Sequence, residues 1–473
     1  MLFIDESHSM SHPSNKAKHF LFTLAIALLA GKPLCPPSYA QAYPLKISDN
    51  KRYLVGQGGT PFFWSGEAAW SLIAQVSKED AVLYLSDRAQ KGFNVVMVNL
   101  IEHAFCTNPP SNYYGDRPFT GTAFITPNEA YFAHADYVIN QAAQRGFVVL
   151  LFPLYLGYGC GNEGWCNDVK AASTPAMRAW GQYVGNRYKN FDNIVWCIGG
   201  DTDPTPVKDK VREFVKGILD NDTRHLITAH NDNTPAIYRW PGESWLNVNN
   251  AYAYDPPSLI SQFQSAYQHS PVMPFFLIES TYENEHGATT QQLRAQAYWA
   301  VLSGGFGHIF GNCPIWHFGS SGDWCGSTNW KGQLNSSGSV SMMYVQSLFM
   351  SRDWYLLVPD FNHSVMPAGW EPGDATAART SDGHTVIAYL PDRRQVTMDL
   401  SKISGMGARY WWYKPSDGSV SGGAVIPISG AHQFTPPANG DWVLVIDDSS
   451  LNLPAPGTQD FPPSSPTGLR IVK

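Results

Sequence analysis

The sequence predicts an α/β fold, a (β/α)8 barrel of the TIM type followed by a small antiparallel β-sandwich domain, and three observations predict it. Eight short apolar runs alternate with segments of helical period between about residue 60 and Trp354. The first run is not followed by the glycine-rich loop of an open nucleotide-binding sheet. Beyond Trp354 the strand-like runs are separated by Asp-Gly, Pro-Asp and Gly-Gly turns, the punctuation of antiparallel β structure.

Residues 1–40 read as a signal peptide. Lys16, Lys18 and His19 precede the apolar stretch Phe20 to Ala30, too short to span a bilayer, and Ser38-Tyr39-Ala40 supplies the small residues of a cleavage site after Ala40 or Ala42. Cys35 lacks the preceding small residue of a lipoprotein signal, so no lipid anchor is expected. The barrel is assigned to residues 41–357. Its strands are expected at Phe62 to Ser65, Phe93 to Leu100, Phe147 to Leu154, Ile194 to Ile198, Leu226 to Ala229, Trp245 to Asn249, Phe275 to Ile278 and His308 to Phe310. Between them, Ser77 and Asp80 form a capping box ahead of Val82, Leu85 and Ala89, with Gly92 as the stop. Phe132, Ala135, Ile139 and Ala142 mark a second helix before Gly146. Thr174 and Thr205 each precede a proline that opens a helix, and Val207, Val211, Phe214 and Ile218 form one apolar face. Leu293, Ala297 and Val301 do the same before Gly304. Residues 358–448 carry the β-sandwich strands, among them Thr385 to Leu390, Gln395 to Asp399, Arg409 to Tyr413 and Trp442 to Ile446, and 449–473 read as a Pro/Ser-rich linker or tail.

Composition narrows the function. The 473 residues carry net charge −7 with no long run of either sign, which argues against a nucleic-acid partner. Charged residues are only 15% and aromatics 13%, a mixture suited to neutral ligands with flat apolar faces and hydroxyl edges, as sugars are. Six cysteines remain after signal removal, an even number compatible with disulfides in an exported chain. The short loops from Cys160 to Cys166 and from Cys313 to Cys325 are expected to close locally, with metal ligation as the alternative, and Cys197 is expected to be a buried thiol.

Reacting groups of a barrel sit at the C-terminal ends of its strands. That rule selects Asp201, after Gly199 and Gly200 at the end of the fourth strand, and Glu279, at the end of the seventh. Two carboxylates in one barrel mouth are what glycoside hydrolysis requires: one protonates the leaving oxygen while the other attacks or positions the anomeric carbon. Glu283, four residues on, competes with Glu279, whereas Asp203 before Pro204 is expected to cap a helix. Glu67 either binds sugar hydroxyls at the barrel floor or is a buried carboxylate paired to a neighbour. Trp70, Tyr155, Trp165, His230, Tyr252, His308, Asn312 and Trp316 follow predicted strands and are the candidates for substrate binding, with Glu102 and His103 as rim groups. No metal or cofactor is called for.

Several motifs in order support a family resemblance. Phe62 to Trp70, Ile194 to Asp201, Ile278-Glu279 with Tyr282-Glu283, and Gly307 to Asn312 with Ile315-Trp316 resemble the apiosidase-like barrels of glycoside hydrolase family 140. Trp412-Tyr413, Asp417-Gly418, Phe434 to Pro437 and Asp441 to Leu444 resemble the collagen-binding-type β domain that follows such barrels. Glu67-Ala68 stands where the family has Asp-Thr, and Asn249 to Tyr252 replaces a Gln-Ser-Gly-His type segment. The resemblance implies Asp201 as acid/base and Glu279 as nucleophile of a retaining glycosidase that releases side chains from plant or bacterial polysaccharides, as an apiosidase-like or other furanosidase. The expected product is secreted or periplasmic, acting on an oligo- or polysaccharide with no membrane association after signal cleavage. The alternative is a scaffold or carbohydrate-binding protein whose barrel has lost catalysis.

Overall fold

The computed structural model describes residues 43–320 and 325–458, which belong to one compact unit. The signal-peptide and Cys35 readings, and most of the tail, lie outside the described residues. Ahead of the barrel, the strands Lys46–Ile47, Leu54–Val55 and Pro61–Phe62 form a small antiparallel sheet. It lies toward the N-terminal ends of the barrel strands: the Tyr43 hydroxyl donates to the Gly146 carbonyl at 2.9 Å, and its ring meets Phe62 edge-on.

The barrel strands are β1 (Trp64–Ala68), β2 (Val95–Asn99), β3 (Val148–Phe152), β4 (Ile194–Gly199), β5 (Ile227–His230), β6 (Asn249–Tyr252), β7 (Phe275–Glu279) and β8 (Gly307–Phe310). All pair in parallel, in the order β5-β4-β3-β2-β1-β8-β7-β6. Side chains and one backbone bond close the eighth seam. Asn250 Nδ2 donates to the Ala229 carbonyl at 2.6 Å, Thr228 Oγ1 to Val248 O at 2.8 Å, and the Asn247 amide to Ile227 O at 2.9 Å. The outer layer comprises α1 (Lys78–Gln90), α2 (Glu129–Gln144), α3 (Thr174–Tyr188), α4 (Lys208–Leu219), α5 (Pro256–Gln268), α6 (Thr290–Leu302) and α7 (Ser337–Met350). Only the short helix Ala236–Arg239 stands between β5 and β6.

Local chemistry explains most boundaries. Ser77 Oγ accepts the Asp80 amide at 3.2 Å and starts α1 as expected. α3 begins one residue earlier in its signals than expected, with Ser173 rather than Thr174 as the cap. The Thr205 segment is a single 3-10 turn, and α4 proper starts at Lys208. The sixth strand runs from Asn249 rather than Trp245. Trp245 is buried against Trp240 in the preceding loop, and an apolar run reports burial without distinguishing a packed loop from a strand.

The C-terminal strands are β9 (Leu357–Pro359), β10 (Thr376–Thr380), β11 (Thr385–Leu390), β12 (Val396–Asp399), β13 (Ala408–Tyr413), β14 (Val420–Ile426), β15 (Ala431–Phe434) and β16 (Trp442–Asp448). They make an antiparallel six-stranded sheet, β9-β10-β11-β16-β13-β14, and a two-stranded ribbon, β12-β15. The period-2 alternation of strand side chains divides this sheet between two cores. Val386, Ala388, Leu390, Leu444 and Ile446 pack with Val396 and Met398 of the ribbon. Ile387, Tyr389, Val443 and Val445 join the barrel core, where α6 is buried along nearly its whole length. Two bidentate ion pairs flank the seam: Arg294 with Asp441 at 2.7 and 2.8 Å, and Arg352 with Asp447 at 2.7 and 2.9 Å. Tyr298 and Tyr389 stack across it at 4.9 Å.

Candidate active site

The end of β4 is shaped by its residues. Gly199 and Gly200 have φ of +88° and +143°, and a Cβ on Gly200 would lie 2.2 Å from the Tyr155 ring, so only glycine lets that ring lie against the backbone. Asp201 follows in the left-handed region, φ +47°, a conformation that Asp tolerates better than most side chains. Its backbone is held from both sides. The amide donates to His230 Nδ1 at 3.2 Å, and the carbonyl accepts the Gly159 amide at 3.1 Å.

The Asp201 carboxylate accepts the Tyr155 hydroxyl at 2.7 Å and the Tyr252 hydroxyl at 3.2 Å. Glu279 ends β7 and faces it. One oxygen of each carboxylate and a ring nitrogen of His230 lie within 4.8 Å of one another. His230 Nε2 is 2.6 Å from Glu279 Oε2. Because Nδ1 accepts an amide proton, the ring proton is on Nε2 and the imidazole donates to Glu279. The Tyr282 hydroxyl, which accepts Trp70 Nε1 at 3.1 Å, also acts to lower Glu279.

Burial, and then the Asp201 charge, push Glu279 up to about 7, while the His230 hydrogen bond works in the other direction. Burial alone would lower His230, but the bond to Glu279 and the charges of the two carboxylates outweigh it and raise it overall. Tyr155 is held neutral by burial and by Asp201. Burial raises Glu163, with Asp201 adding to the shift, and burial raises Glu285 against the Trp316 hydrogen bond.

Above the carboxylates opens a cavity of about 580 Å³. Of the residues expected from sequence, Trp70, Tyr155, Tyr252 and Trp316 line it together with Asp201 and Glu279, and His230 lies buried between the carboxylates. Five others are placed elsewhere. Glu67 projects from β1 into the helix layer, where it pairs with Arg88 of α1 and accepts the Tyr84 hydroxyl at 2.6 Å, so of its two readings the paired buried carboxylate is the one the structure shows. His308 also faces that layer, 3.2 Å from Met342 Sδ on α7, and burial lowers it to about 4, leaving it neutral. Glu283 accepts the Gly338 amide in the first turn of α7 at 2.7 Å and Asn312 Nδ2 at 2.8 Å, which commits both side chains to anchoring that helix. Trp165 donates to Ile101 O at 3.4 Å and packs edge-on against His103, Phe119 and Phe124.

The rim residues are likewise structural. Glu102 accepts the amides of His103, Ala104 and Phe105 and so folds the loop that carries Phe105 into the cavity wall. His103 lies 3.4 Å from Asp168. Asp203 accepts the Thr205 amide at 2.9 Å, as a cap should, and its second oxygen pairs with Arg239. Cys160–Cys166 and Cys313–Cys325 are disulfides, and Cys197 and Cys106 are buried thiols. Sequence reasoning missed Asn99, Tyr254, Tyr282, Glu163 and Glu285, all of which line the cavity. Asn99 ends β2, and Tyr254 and Tyr282 stand two and three residues past β6 and β7, so extending the strand-end rule by three residues finds these three.

A family model described as "Apiosidase-like, catalytic domain" matches residues 48–356, and one described as "Putative collagen-binding domain of a collagenase" matches 358–447. A solved structure described as a glycoside hydrolase is 28% identical, covering 86% of this chain and 97% of its own with a TM-score of 0.75. A glycoside hydrolase family 5 protein from Bacteroides vulgatus ATCC 8482 is 25% identical, covering 89% and 97% with a TM-score of 0.78. No curated protein matches.

Proposed function

The chain belongs to the apiosidase-like family and is a glycoside hydrolase, and from that premise we propose that it retains anomeric configuration, with Glu279 as nucleophile and Asp201 as acid/base. The approach of the two carboxylates carries this reading. One oxygen of each carboxylate lying within 4.8 Å of the other favours the separation of about 5–5.5 Å that direct attack requires over the about 6.5–9.5 Å of an inverting site.

In the first step a Glu279 oxygen bonds to the anomeric carbon as the glycosidic C–O bond breaks, and the Asp201 proton passes to the leaving oxygen. In the second, Asp201 takes a proton from water, the resulting hydroxide bonds to the same carbon, and Glu279 leaves as carboxylate. For the first step Glu279 must be ionised. The His230 donor favours that form once substrate displaces water from the cavity. Trp70, Tyr252 and Trp316 offer ring faces to the sugar.

We place the action outside the cytoplasm, on side chains of plant or bacterial polysaccharides. Two disulfides near the barrel mouth and the signal-like order of residues 1–40 support export. The test is incubation of the mature protein with a panel of such polysaccharides, with the anomer of the first product followed by NMR. Release of a sugar with retained configuration is expected, and initial inversion would overturn the mechanism.

A further inference from the structure

A second cavity, of about 300 Å³, lies where the N-terminal hairpin, the last turns of α5 and α6 and the start of the C-terminal sheet come together. Gly304, Gly305 and Phe306, which lead into the N-terminal end of β8, line it as well. Asp201 and Glu279 stand at the opposite ends of the barrel strands, and the two cavities share no lining residue. Its size is at the lower end of the range of about 300–1,000 Å³ in which proteins hold small molecules.

The lining joins aromatic faces to fixed polar groups. The Tyr53 ring centre is 5.7 Å from that of Tyr355 and 5.8 Å from that of Trp354. Trp354 is buried beneath them, whereas both tyrosines are half-buried and carry ring surface at the cavity. Arg52 is held by three contacts: its amide donates to Asn50 Oδ1 at 3.1 Å, Nη1 donates to Tyr267 O at 2.7 Å in the last turn of α5, and the guanidinium lies 3.9 Å over the Tyr267 ring. That ring packs on Gly304, where a Cβ would lie 2.3 Å from it, so the arrangement is built into the fold. Arg52 Nε and Nη2, Asn50 Nδ2, Ser381 Oγ and the Tyr53 and Tyr267 hydroxyls then meet no partner among the described residues. These atoms include both donors and groups that donate or accept.

We propose that this cavity is a second carbohydrate-binding site, which takes a neutral sugar unit of a polysaccharide and holds the polymer away from the catalytic mouth. The CH face of the sugar covers the Tyr53 and Tyr355 rings, and Arg52, Asn50 and Ser381 bond its hydroxyls. Charge favours a neutral unit. Among the described residues lining the cavity Arg52 alone is charged, and it is already engaged with the negative end of α5. The exposed Asp49 acts on Tyr53, and the exposed Asp353 and Asp382 act on Tyr355, so an incoming anion meets three carboxylates at the rim. The site goes beyond the glycosidase reading and needs none of its mechanism.

The test is affinity electrophoresis of the intact protein, carrying Glu279→Gln so that the polymer is not consumed, in native gels containing arabinogalactan, galactomannan, xyloglucan or arabinoxylan, with alginate as the acidic comparison. At least one neutral polysaccharide is expected to retard the protein, and to do so more strongly than alginate. Ser381→Trp fills the cavity from its exposed rim, and Tyr355→Ala removes one ring face. Each is expected to weaken the retardation constant about threefold or more. Tyr158→Ala, at the catalytic cavity, is expected to leave that share of the retardation in place. No retardation by any neutral polysaccharide, equal or stronger retardation by alginate, or a constant unmoved in either second-cavity variant that melts as a folded protein would overturn the proposal. Failure of the glycosidase reading is distinguishable, because it would leave this retardation intact while the parent protein releases no sugar.

Discussion

His230 holds the Glu279 carboxylate through Nε2 at 2.6 Å while its other ring nitrogen accepts the Asp201 backbone amide at 3.2 Å, so one imidazole joins the ends of β4 and β7. The donor to Glu279 favours its ionised form, the one the proposed attack requires. His230→Ala is expected to lower kcat about 100-fold and to move the acidic limb of the kcat/KM profile to higher pH, since Glu279 loses a group that lowers it. His230→Gln should restore part of the rate. A profile unchanged in position would remove His230 from this role.

Glu279 also couples stability to pH. Its folded value of about 7 lies above the ordinary carboxylate range, so the native state holds the proton more tightly than the unfolded chain. The sign follows: its contribution is fully present below about pH 4.5 and is lost as pH rises through 7. Glu279→Gln is therefore expected to melt about a degree or two above the parent at pH 8 and to lose that advantage at pH 4.5. Parallel melting curves at the two pH values decide it.

The two neighbouring glutamates should separate cleanly. Glu279→Gln and Asp201→Asn are expected to fold while turnover drops by about 10³-fold or more, and azide should partly rescue Glu279→Ala. Glu283→Gln should keep most of kcat but lose about 1–2 kcal/mol of stability, because its carboxylate serves the first turn of α7. The opposite pattern, activity kept in Glu279→Gln and lost in Glu283→Gln, would reverse the assignment.

Gly159, whose amide bonds to the Asp201 carbonyl, immediately precedes Cys160 of the Cys160–Cys166 disulfide. A Cys160→Ser/Cys166→Ser variant is expected to lose about 10- to 100-fold in kcat through misplacement of Asp201, with its melting temperature changed far less than its rate. Equal rates with and without the disulfide would show that the Gly159 bond does not depend on it.

Arg294→Ala should destabilise the protein by about 3–5 kcal/mol, because it leaves Asp441 buried and unpaired between barrel and sheet. Arg294→Ala/Asp441→Ala should cost less than the single change. Denaturant unfolding of the three proteins gives the comparison, and a negligible loss in the single variant would refute it.

The strand-end rule located both carboxylates because periodicity and turn residues are local properties, and Gly199-Gly200-Asp201 announces a tight turn on its own. Facing direction was harder. Glu67 and His308 lie in the right strands but on the side that meets the helices, and the apolar runs of a parallel sheet, buried on both faces, do not show which side is which. Glu283 was ambiguous for a related reason: its partner, the first turn of α7, is more than fifty residues away in sequence. Glu163 and Glu285 sit on loops whose course is set by a disulfide and by tertiary contacts, and no spacing within the sequence encodes that.

The burial of α6 bears on how this enzyme can be cut and recombined. Ile387, Tyr389, Val443 and Val445 complete the packing on the outer side of that helix, so the wall around β7 and β8 is two layers thick only when the sheet is present. A graft of the barrel onto another scaffold would expose that face and strand Arg294 and Arg352 without their carboxylates. The heritable module is therefore the pair, and exchange among relatives must carry the residues on both sides of the seam together.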